Sequence, residues 1–149
     1  MTFWITVLLI ILLDRTTKYL IGAHMKLAES IPIINGFFHL TYVKNPGAAF
    51  GMLADKRWLF IVITLVMLGI IVYTARNSSG KNTWFAVALG MVAGGAFGNL
   101  VDRVKGGLVI DFIDFRGIWP YIFNIADSAI VVGVILLAWQ VLKPDRRRC

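Results

Sequence analysis

Carboxylates in two short segments are the residues of this chain best suited to chemistry. Asp111 and Asp114 lie in segment 109–115, and Asp127 lies in segment 123–128, beside long apolar stretches. A charged side chain at membrane depth is disfavoured by roughly 2.5 to 3.5 kcal/mol, so an acid retained there is a candidate functional residue. Two acids held close together cannot both ionise, so they share one proton and supply a general base and a general acid. Aspartic proteases activate water in this way.

Other catalytic chemistries lack the residues that they need. His24 and His39 are isolated and belong to no His-Glu-x-x-His pattern, so no metal site is expected. No serine has the base and oxyanion turn of a serine nucleophile, and the single cysteine, Cys149, is the last residue. Neither a metal nor another cofactor is therefore expected.

Composition predicts that these acids belong to a membrane protein. Of the 149 residues, 58% are hydrophobic and 15% are charged, and the mean hydropathy is +0.77, which is too apolar for a soluble domain of this length. Much of the net charge of +7 lies in the basic tail 143–148, which favours a cytoplasmic C-terminus over a nucleic-acid partner. No linker or repeat divides the chain, so one domain over 1–149 is expected.

Four apolar stretches are long enough to cross a bilayer as helices: 3–22, 58–75, 83–101 and 121–142. With both termini cytoplasmic, 23–57 and 102–120 lie outside. Aromatic and β-branched residues broken by Asn35-Gly36 predict a hairpin over 31–43, and 47–53 predicts a short interfacial helix. The expected fold is an all-α membrane protein, namely a four-transmembrane-helix bundle with a small extracytoplasmic β-hairpin or sheet. Small residues at four-residue intervals predict close helix packing in the third span: Ala86, Gly90, Gly94 and Gly98.

The polar residues of the spans are expected to converge near the outer face. The third span ends, and the fourth begins, with such residues: Asn99, Asp102, Arg103, Asn124 and Asp127. Asp14 is the deepest acid, about 12 Å below the outer end of the first span at 1.5 Å per residue. Lys18 lies one helical turn later, and pairing between these two side chains is the alternative to a functional role for Asp14.

Two further assignments stay open on the residues alone. For Asp127 the alternative is an acid stabilised by the helix dipole, although Asn124 beside it favours a shared polar pocket. Asp111 and Asp114 are expected on the loop between the third and fourth spans. Spacing does not distinguish them, because either could face inward.

Five segments carry a further signal: DRTTK (14–18), VKNPGAAFG (43–51), GGAFGNLVDR (94–103), VIDFIDF (109–115) and FNIADSAI (123–130). Their order and spacing resemble the bacterial lipoprotein signal peptidase family, also called signal peptidase II. The resemblance covers 14–130, which is most of the chain. It implies an aspartic endopeptidase of the bacterial inner membrane that removes the signal peptide from prolipoproteins, cutting immediately before a cysteine that bears a diacylglyceryl group.

The resemblance also implies which residues act. By position in the motifs, the catalytic pair is Asp111 and Asp127, whereas Asp114 matches no catalytic position. Substrate-binding or supporting roles fall on a larger set: Asp14, Lys18, Asn45, Gly47, Asn99, Asp102, Arg103, Asn124 and Ala126. The expected partners are the diacylglyceryl-prolipoprotein substrate and membrane lipids, and the chain is expected to act as a monomer.

Three of these side chains have specific expected contacts. Asn124 could hydrogen-bond the acid pair or a substrate amide. Asn45 lies in a turn with Pro and Gly and could pair with an extended peptide. Arg103 either reaches a substrate carbonyl or fixes Asp102.

Two other classes of function compete with this interpretation. A proton-coupled carrier also uses intramembrane acids, but no acid lies in the inner half of any expected span, where a proton path would need one. A non-catalytic helper would bind the lipoprotein precursor without cutting it.

Overall fold

The computed structural model describes residues 1–47, 56–77 and 82–142. In these ranges the chain forms, in order, α1 (Thr2–His24), β1 (Ser30–Ile34), β2 (Phe38–Asn45), α2 (Arg57–Asn77), α3 (Thr83–Gly106), β3 (Val109–Phe115) and α4 (Ile125–Leu142). The strands make a small antiparallel sheet in the order β1-β2-β3. Since α3 packs against each of the other described helices, it is the centre of the helical part.

By length and composition, two of the described helices, α2 and α3, could cross a membrane. α1 carries three charged residues, Asp14, Arg15 and Lys18, and α4 counts only as a shorter apolar helix, over Ile125–Gln140. The predicted stretches 3–22, 58–75 and 83–101 each lie within one helix, whereas the fourth helix begins at Ile125 and not at 121. The expected total of four spans therefore stays a prediction.

The described part of the chain buries charged and polar side chains and exposes many large apolar ones. Its largest fully buried side chains are Lys18, Asn124 and Asp14, whereas Leu8 and Leu12 are 58% and 53% exposed. Water would oppose this arrangement, because burying charges is costly and exposing leucine gains nothing. A hydrocarbon solvent favours it, since lipid covers the leucines and protein partners satisfy the polar groups.

The small-residue face of α3 is confirmed as a packing surface. A Cβ atom on Gly90 would lie 2.7 Å from Thr6 Cβ, and one on Gly94 would lie 2.8 Å from Ile10 Cβ, both on α1. A Cβ atom on Gly98 would lie 2.6 Å from a carboxylate oxygen of Asp14. The absence of side chains thus lets α1 approach α3 closely enough for its polar residues to reach those of α3.

The predicted hairpin is confirmed, with β1 and β2 joined through a turn in which Gly36 adopts φ +72°. The expectation that 109–115 is a loop is wrong. This segment forms β3, which pairs antiparallel with β2, and its β-branched and aromatic residues suit a strand. The sheet rests on the end of α1 through a buried apolar cluster: Ile21, Met25, Tyr42 and Phe112.

Two predicted features lie outside the described residues. The expected short interfacial helix over 47–53 falls almost entirely on 48–55, and the basic tail falls on 143–149. The sheet, α1, α3 and the start of α4 are the described elements that carry the candidate site.

Candidate functional site

Asp111 lies on β3, where two asparagine side chains hold its carboxylate. Asn45, on β2, donates from Nδ2 to Asp111 Oδ2 at 3.0 Å, and Asn124 donates from Nδ2 to Asp111 Oδ1 at 2.6 Å. Only 2% of Asp111 is exposed. Each oxygen thus accepts an amide hydrogen from a different element of the fold, which fixes the plane of the carboxylate.

Asp127 lies in the first turn of α4 and is held in the same manner. Asn99 donates from Nδ2 to Asp127 Oδ1 at 2.7 Å, and the backbone N–H of Asn124 points to Asp127 Oδ2 at 3.3 Å. The backbone N–H of Asp127 donates to Asn124 Oδ1 at 2.9 Å. Asn124 and Asp127 therefore form a reciprocal cap at the start of α4. The expectation that Asn124 belongs to the first turn of the fourth helix is wrong by one residue, since the helix begins at Ile125.

Asn124 bridges the two acids. Its Oδ1 atom accepts from the N–H of Asp127, so its Nδ2 atom is directed towards Asp111. The side chain is fully buried, so its polar atoms must be satisfied by protein. The predicted hydrogen bond between Asn124 and the acid pair is present: its side-chain amide contacts the carboxylate of Asp111 and the backbone of Asp127, and its backbone N–H contacts the carboxylate of Asp127.

A cavity of about 1210 Å³ contains both acids in its wall. Asn45, Gly47 and Arg103 supply further polar lining near them. The rest of the wall is mostly apolar and comes largely from the end of β3, the segment after it and α4: Phe115, Ile118, Trp119, Pro120, Tyr121, Ile122, Phe123, Ile130, Val131 and Val132, among others. A few convergent polar groups in a large apolar cavity are typical of a binding site for a molecule with apolar parts.

The electrostatics of the cavity raise the pKa of Asp111. Burial and the negative charge of Asp127 raise the pKa of Asp111 to about 7, while hydrogen bonds from Asn45 and Asn124 and the charge of Lys18 oppose the rise. Near neutral pH, Asp111 is thus poised between its protonated and ionised forms. This is the state that a general acid or base requires.

A buried charge cluster lies next to the pair and consists of Asp14, Arg15, Lys18 and Asp102. Lys18 Nζ contacts Asp14 Oδ1 at 3.0 Å and Asp102 Oδ2 at 2.8 Å, and Arg15 Nη2 contacts Asp102 Oδ1 at 2.5 Å. The predicted pairing of Asp14 with Lys18 is confirmed. Lys18 also donates a hydrogen bond to Asn99 Oδ1 at 2.8 Å, so its ammonium group has two ion-pair partners and one hydrogen-bond acceptor.

This cluster reaches the acid pair through two residues. Asn99 accepts from Lys18 with its oxygen and donates to Asp127 with its nitrogen. Asp14 Oδ1 accepts from the backbone N–H of Ala126 at 3.2 Å, so an acid of α1 caps the start of α4. The predicted supporting residues on α1 and α3 therefore hold the chain that carries Asp127.

Arg103 and Asp102 do not pair as one alternative supposed. Asp102 instead contacts Arg15 and Lys18 of α1. Arg103 lines the cavity, with its guanidinium 5.0 Å from the ring of Phe60 and Nη2 3.5 Å from the carbonyl oxygen of Gly47. Adjacent residues on a helix point in different directions, so the two side chains face different neighbours.

Arg15 is a member of the cluster that sequence reasoning missed. Its position beside Asp14 was visible, but its partner Asp102 is 87 residues away on α3. Asp114 lies outside the cavity lining and bonds with Thr41 and Arg116. Among the residues that the structure describes, no group of three or more His, Cys, Asp or Glu side chains could hold a metal ion.

Comparisons with known proteins agree with this architecture. A family model for signal peptidase (SPase) II matches residues 6–143. A lipoprotein signal peptidase of Halothermothrix orenii is 51% identical over 142 residues, covering 92% of this chain and 94% of that protein. One of Moorella thermoacetica is 46% identical over 144 residues, covering 97% and 95%. A solved structure of a bacterial membrane enzyme, determined by the in meso method at 2.3 Å resolution, is 36% identical, with a TM-score of 0.91 over 99% of this chain and 92% of that one.

The fold is thus that of a bacterial membrane enzyme, and the class is a peptidase. More particularly, the chain belongs to the signal peptidase II family. The expected mostly helical membrane fold with a small sheet is confirmed at this level.

Proposed function

We propose that this peptidase removes the signal peptide from diacylglyceryl-modified prolipoproteins by cutting immediately before the lipid-bearing cysteine. The observation that carries the proposal is that Asp111 and Asp127 line one cavity and are bridged by Asn124. Family membership supports the substrate class. The large apolar share of the cavity wall supports a substrate that brings lipid chains with it.

In the proposed mechanism, Asp111 and Asp127 share one proton. The ionised carboxylate removes a proton from water, and the oxygen of that water bonds to the carbonyl carbon of the scissile peptide. The protonated carboxyl gives its proton to the carbonyl oxygen, so the tetrahedral intermediate is neutral. When the C–N bond breaks, the carboxyl that took the proton from water gives it to the leaving nitrogen, and a hydroxyl of the intermediate gives its proton to the other carboxylate. The products are a carboxylic acid and an amine, and the pair is again singly protonated.

The remaining lining residues would bind the substrate. Arg103 could donate to a substrate carbonyl, since its guanidinium lies at the cavity and its hydrogen bond to the Gly47 carbonyl is long, at 3.5 Å. Asn45 stabilises Asp111 and could release or share its amide when an extended peptide enters. The lipid chains would lie along the apolar side of α4, where Val131 and Val132 line the cavity.

We further propose that the chain is a single domain over 1–149 and acts as a monomer in the inner membrane. Its four helices would all span, with both termini cytoplasmic and the acid pair near the extracytoplasmic face. The end of α1, the end of α3 and the start of α4 meet in the site, as antiparallel spans require. Replacement of Glu29 by cysteine in a Cys149→Ser background tests the orientation. An impermeant maleimide should label it from outside, and labelling only from the cytoplasm would contradict the orientation.

The test of the activity uses the purified full chain with a diacylglyceryl-modified precursor. Asp111→Asn and Asp127→Asn should each lower kcat at least about 100-fold, because general acid–base groups contribute about 10² to 10⁴. Glu29→Gln is the matched control, since Glu29 is an exposed acid on the connection that leads to the sheet. Cleavage by either aspartate variant within about tenfold of the parent would refute the dyad. A product that does not begin at the lipid-bearing cysteine would refute the cleavage site alone.

A further inference from the structure

A ring of polar side chains crosses the three strands away from the cavity. Thr41 donates from Oγ1 to Asp114 Oδ2 at 2.7 Å, and the Arg116 guanidinium contacts the same oxygen from Nε at 3.1 Å. Ser30 Oγ lies 2.8 Å from Thr41 Oγ1 and accepts from Arg116 Nη2 at 2.7 Å. The ring therefore joins β1, β2 and β3. None of its four members lines the cavity.

The pairing of β2 with β3 shifts by one residue beside this ring. His39 is opposite Asp114 on one side of the shift, and Asn45 is opposite Val109 on the other. Between the paired residues Leu40 and Val43, β2 has two residues where β3 has one. This is a β-bulge, and it moves every later side chain of β2 to the other face of the sheet.

The bulge is required by two hydrogen bonds that lie on opposite faces. Asp111 and Asp114 are three residues apart on β3, so their side chains point to opposite faces. Their partners on β2, Asn45 and Thr41, are four residues apart and would share a face in a regular strand. Both bonds, Asn45 to Asp111 and Thr41 to Asp114, can form only if β2 contains the extra residue.

We propose that the bond between Thr41 and Asp114 fixes the bulge of β2 and thereby aligns Asn45 with Asp111, which makes Asp114 a positioning residue for the reaction. This inference rests on the proposed function, in which Asp111 is one of the catalytic acids. Thr41 and Asp114 are both buried, so their hydrogen bond is shielded from water. The Arg116 side chain is 47% exposed, so its ion pair with Asp114 contributes less.

The decisive comparison is Thr41→Val against Thr41→Ser. Valine keeps the shape and strand preference of threonine but removes the hydroxyl, so β2 can slip and Asn45 loses its contact with Asp111. We expect about a tenfold lower kcat with KM within about twofold. Since the Asn45 hydrogen bond lowers the pKa of Asp111, the alkaline limb of the pH profile should also move to higher pH. Thr41→Ser keeps the hydroxyl, so it should keep both the parental kcat and the parental position of the alkaline limb.

A double variant separates this role from general destabilisation. Because Thr41 is proposed to act through Asn45, the variant that combines Thr41→Val with Asn45→Ala should match Asn45→Ala alone. The proposal would be overturned if the kcat losses of the two single variants multiply in the double variant. It would also be overturned if the alkaline limb of the pH profile stays unchanged in Thr41→Val. If Thr41→Val cannot be purified, Asp114→Ala replaces it, since alanine removes the acceptor of the Thr41 hydroxyl. A lower kcat with the alkaline limb moved to higher pH in Asp114→Ala supports the proposal, and a parental limb overturns it.

The titration of Asp111 can also be followed by its ¹³C carboxyl shift, which needs no substrate. A parental chain that does not cleave the precursor would defeat the proposed function. The carboxyl titration of the Thr41 and Asn45 variants would still decide whether Thr41 positions Asn45: equal upward shifts support this, and a parental titration in Thr41→Val refutes it.

Discussion

Replacement of Lys18 by methionine is the most demanding test of the buried charge cluster. The cluster holds two acids, Asp14 and Asp102, and two bases, Arg15 and Lys18, so its formal charges cancel. Lys18 is 2% exposed and contacts both acids at 3.0 and 2.8 Å. Methionine has a similar length but no charge, so Lys18→Met leaves one uncompensated negative charge in the interior.

The expected loss of stability follows from this imbalance. Breaking a buried ion pair by removing one partner costs about 3 to 5 kcal/mol, because the other charge stays buried without compensation. For a chain of this length, each kcal/mol lowers Tm by roughly 2 to 4 °C, which predicts a fall of about 6 to 20 °C. Thermal unfolding in lipid nanodiscs, followed by tryptophan fluorescence, measures it.

Two controls make the result specific to charge. Lys26→Met removes an exposed lysine and should leave Tm within about 1 °C. The double variant with Lys18→Met and Asp102→Asn restores the charge balance and should recover part of the loss. A fall in Tm below about 2 °C for Lys18→Met, or no recovery in the double variant, would refute the reasoning. Since the charge of Lys18 also lowers the pKa of Asp111, the alkaline limb of activity in Lys18→Met should move to higher pH.

Two further predictions concern protonation and packing. Because the pKa of Asp111 is raised to about 7 and the pair needs one proton, kcat/KM should fall as pH rises above about 7. Asn45→Ala removes a hydrogen bond that favours the ionised form of Asp111, so the alkaline limb of the profile should move to higher pH. A move to lower pH would contradict the assignment of this limb to Asp111. Gly95→Ala should lower both Tm and activity, because its new Cβ would clash with the backbone oxygen of Ala126. Gly69→Ala, with nothing within 4 Å, is the control and should be neutral or slightly stabilising.

Local patterns predicted the local structure well. The Asn-Gly turn between β-branched residues predicted the hairpin of β1 and β2, and one helical turn between Asp14 and Lys18 predicted their ion pair. Both depend on residues close in sequence, whose geometry is set by the regular spacing of a helix or by turn chemistry. The small-residue stripe on α3 was predicted for the same reason.

Features that depend on distant residues were missed or misassigned. The segment that contains Asp111 was expected to be a loop, because its strand exists only through pairing with β2, more than 60 residues earlier. The pairing of Arg15 with Asp102 requires α1 and α3 to lie side by side. The register shift in β2 has no signal in its own residues, since it is set by what β3 presents across the sheet.

The sequence by itself determined which catalytic chemistry was available and indicated that the protein lies in a membrane. Its composition indicated a membrane protein, and its acids in apolar surroundings, with no competing nucleophile or metal cluster, favoured a carboxylate pair. The tertiary structure alone decided how the residues meet: Asn124 bridges Asp111 and Asp127, and Asp114 bonds with Thr41 across the sheet. The physical reason is that residue type limits which proton transfers a side chain can make, whereas packing between distant elements sets which groups it meets and hence its pKa.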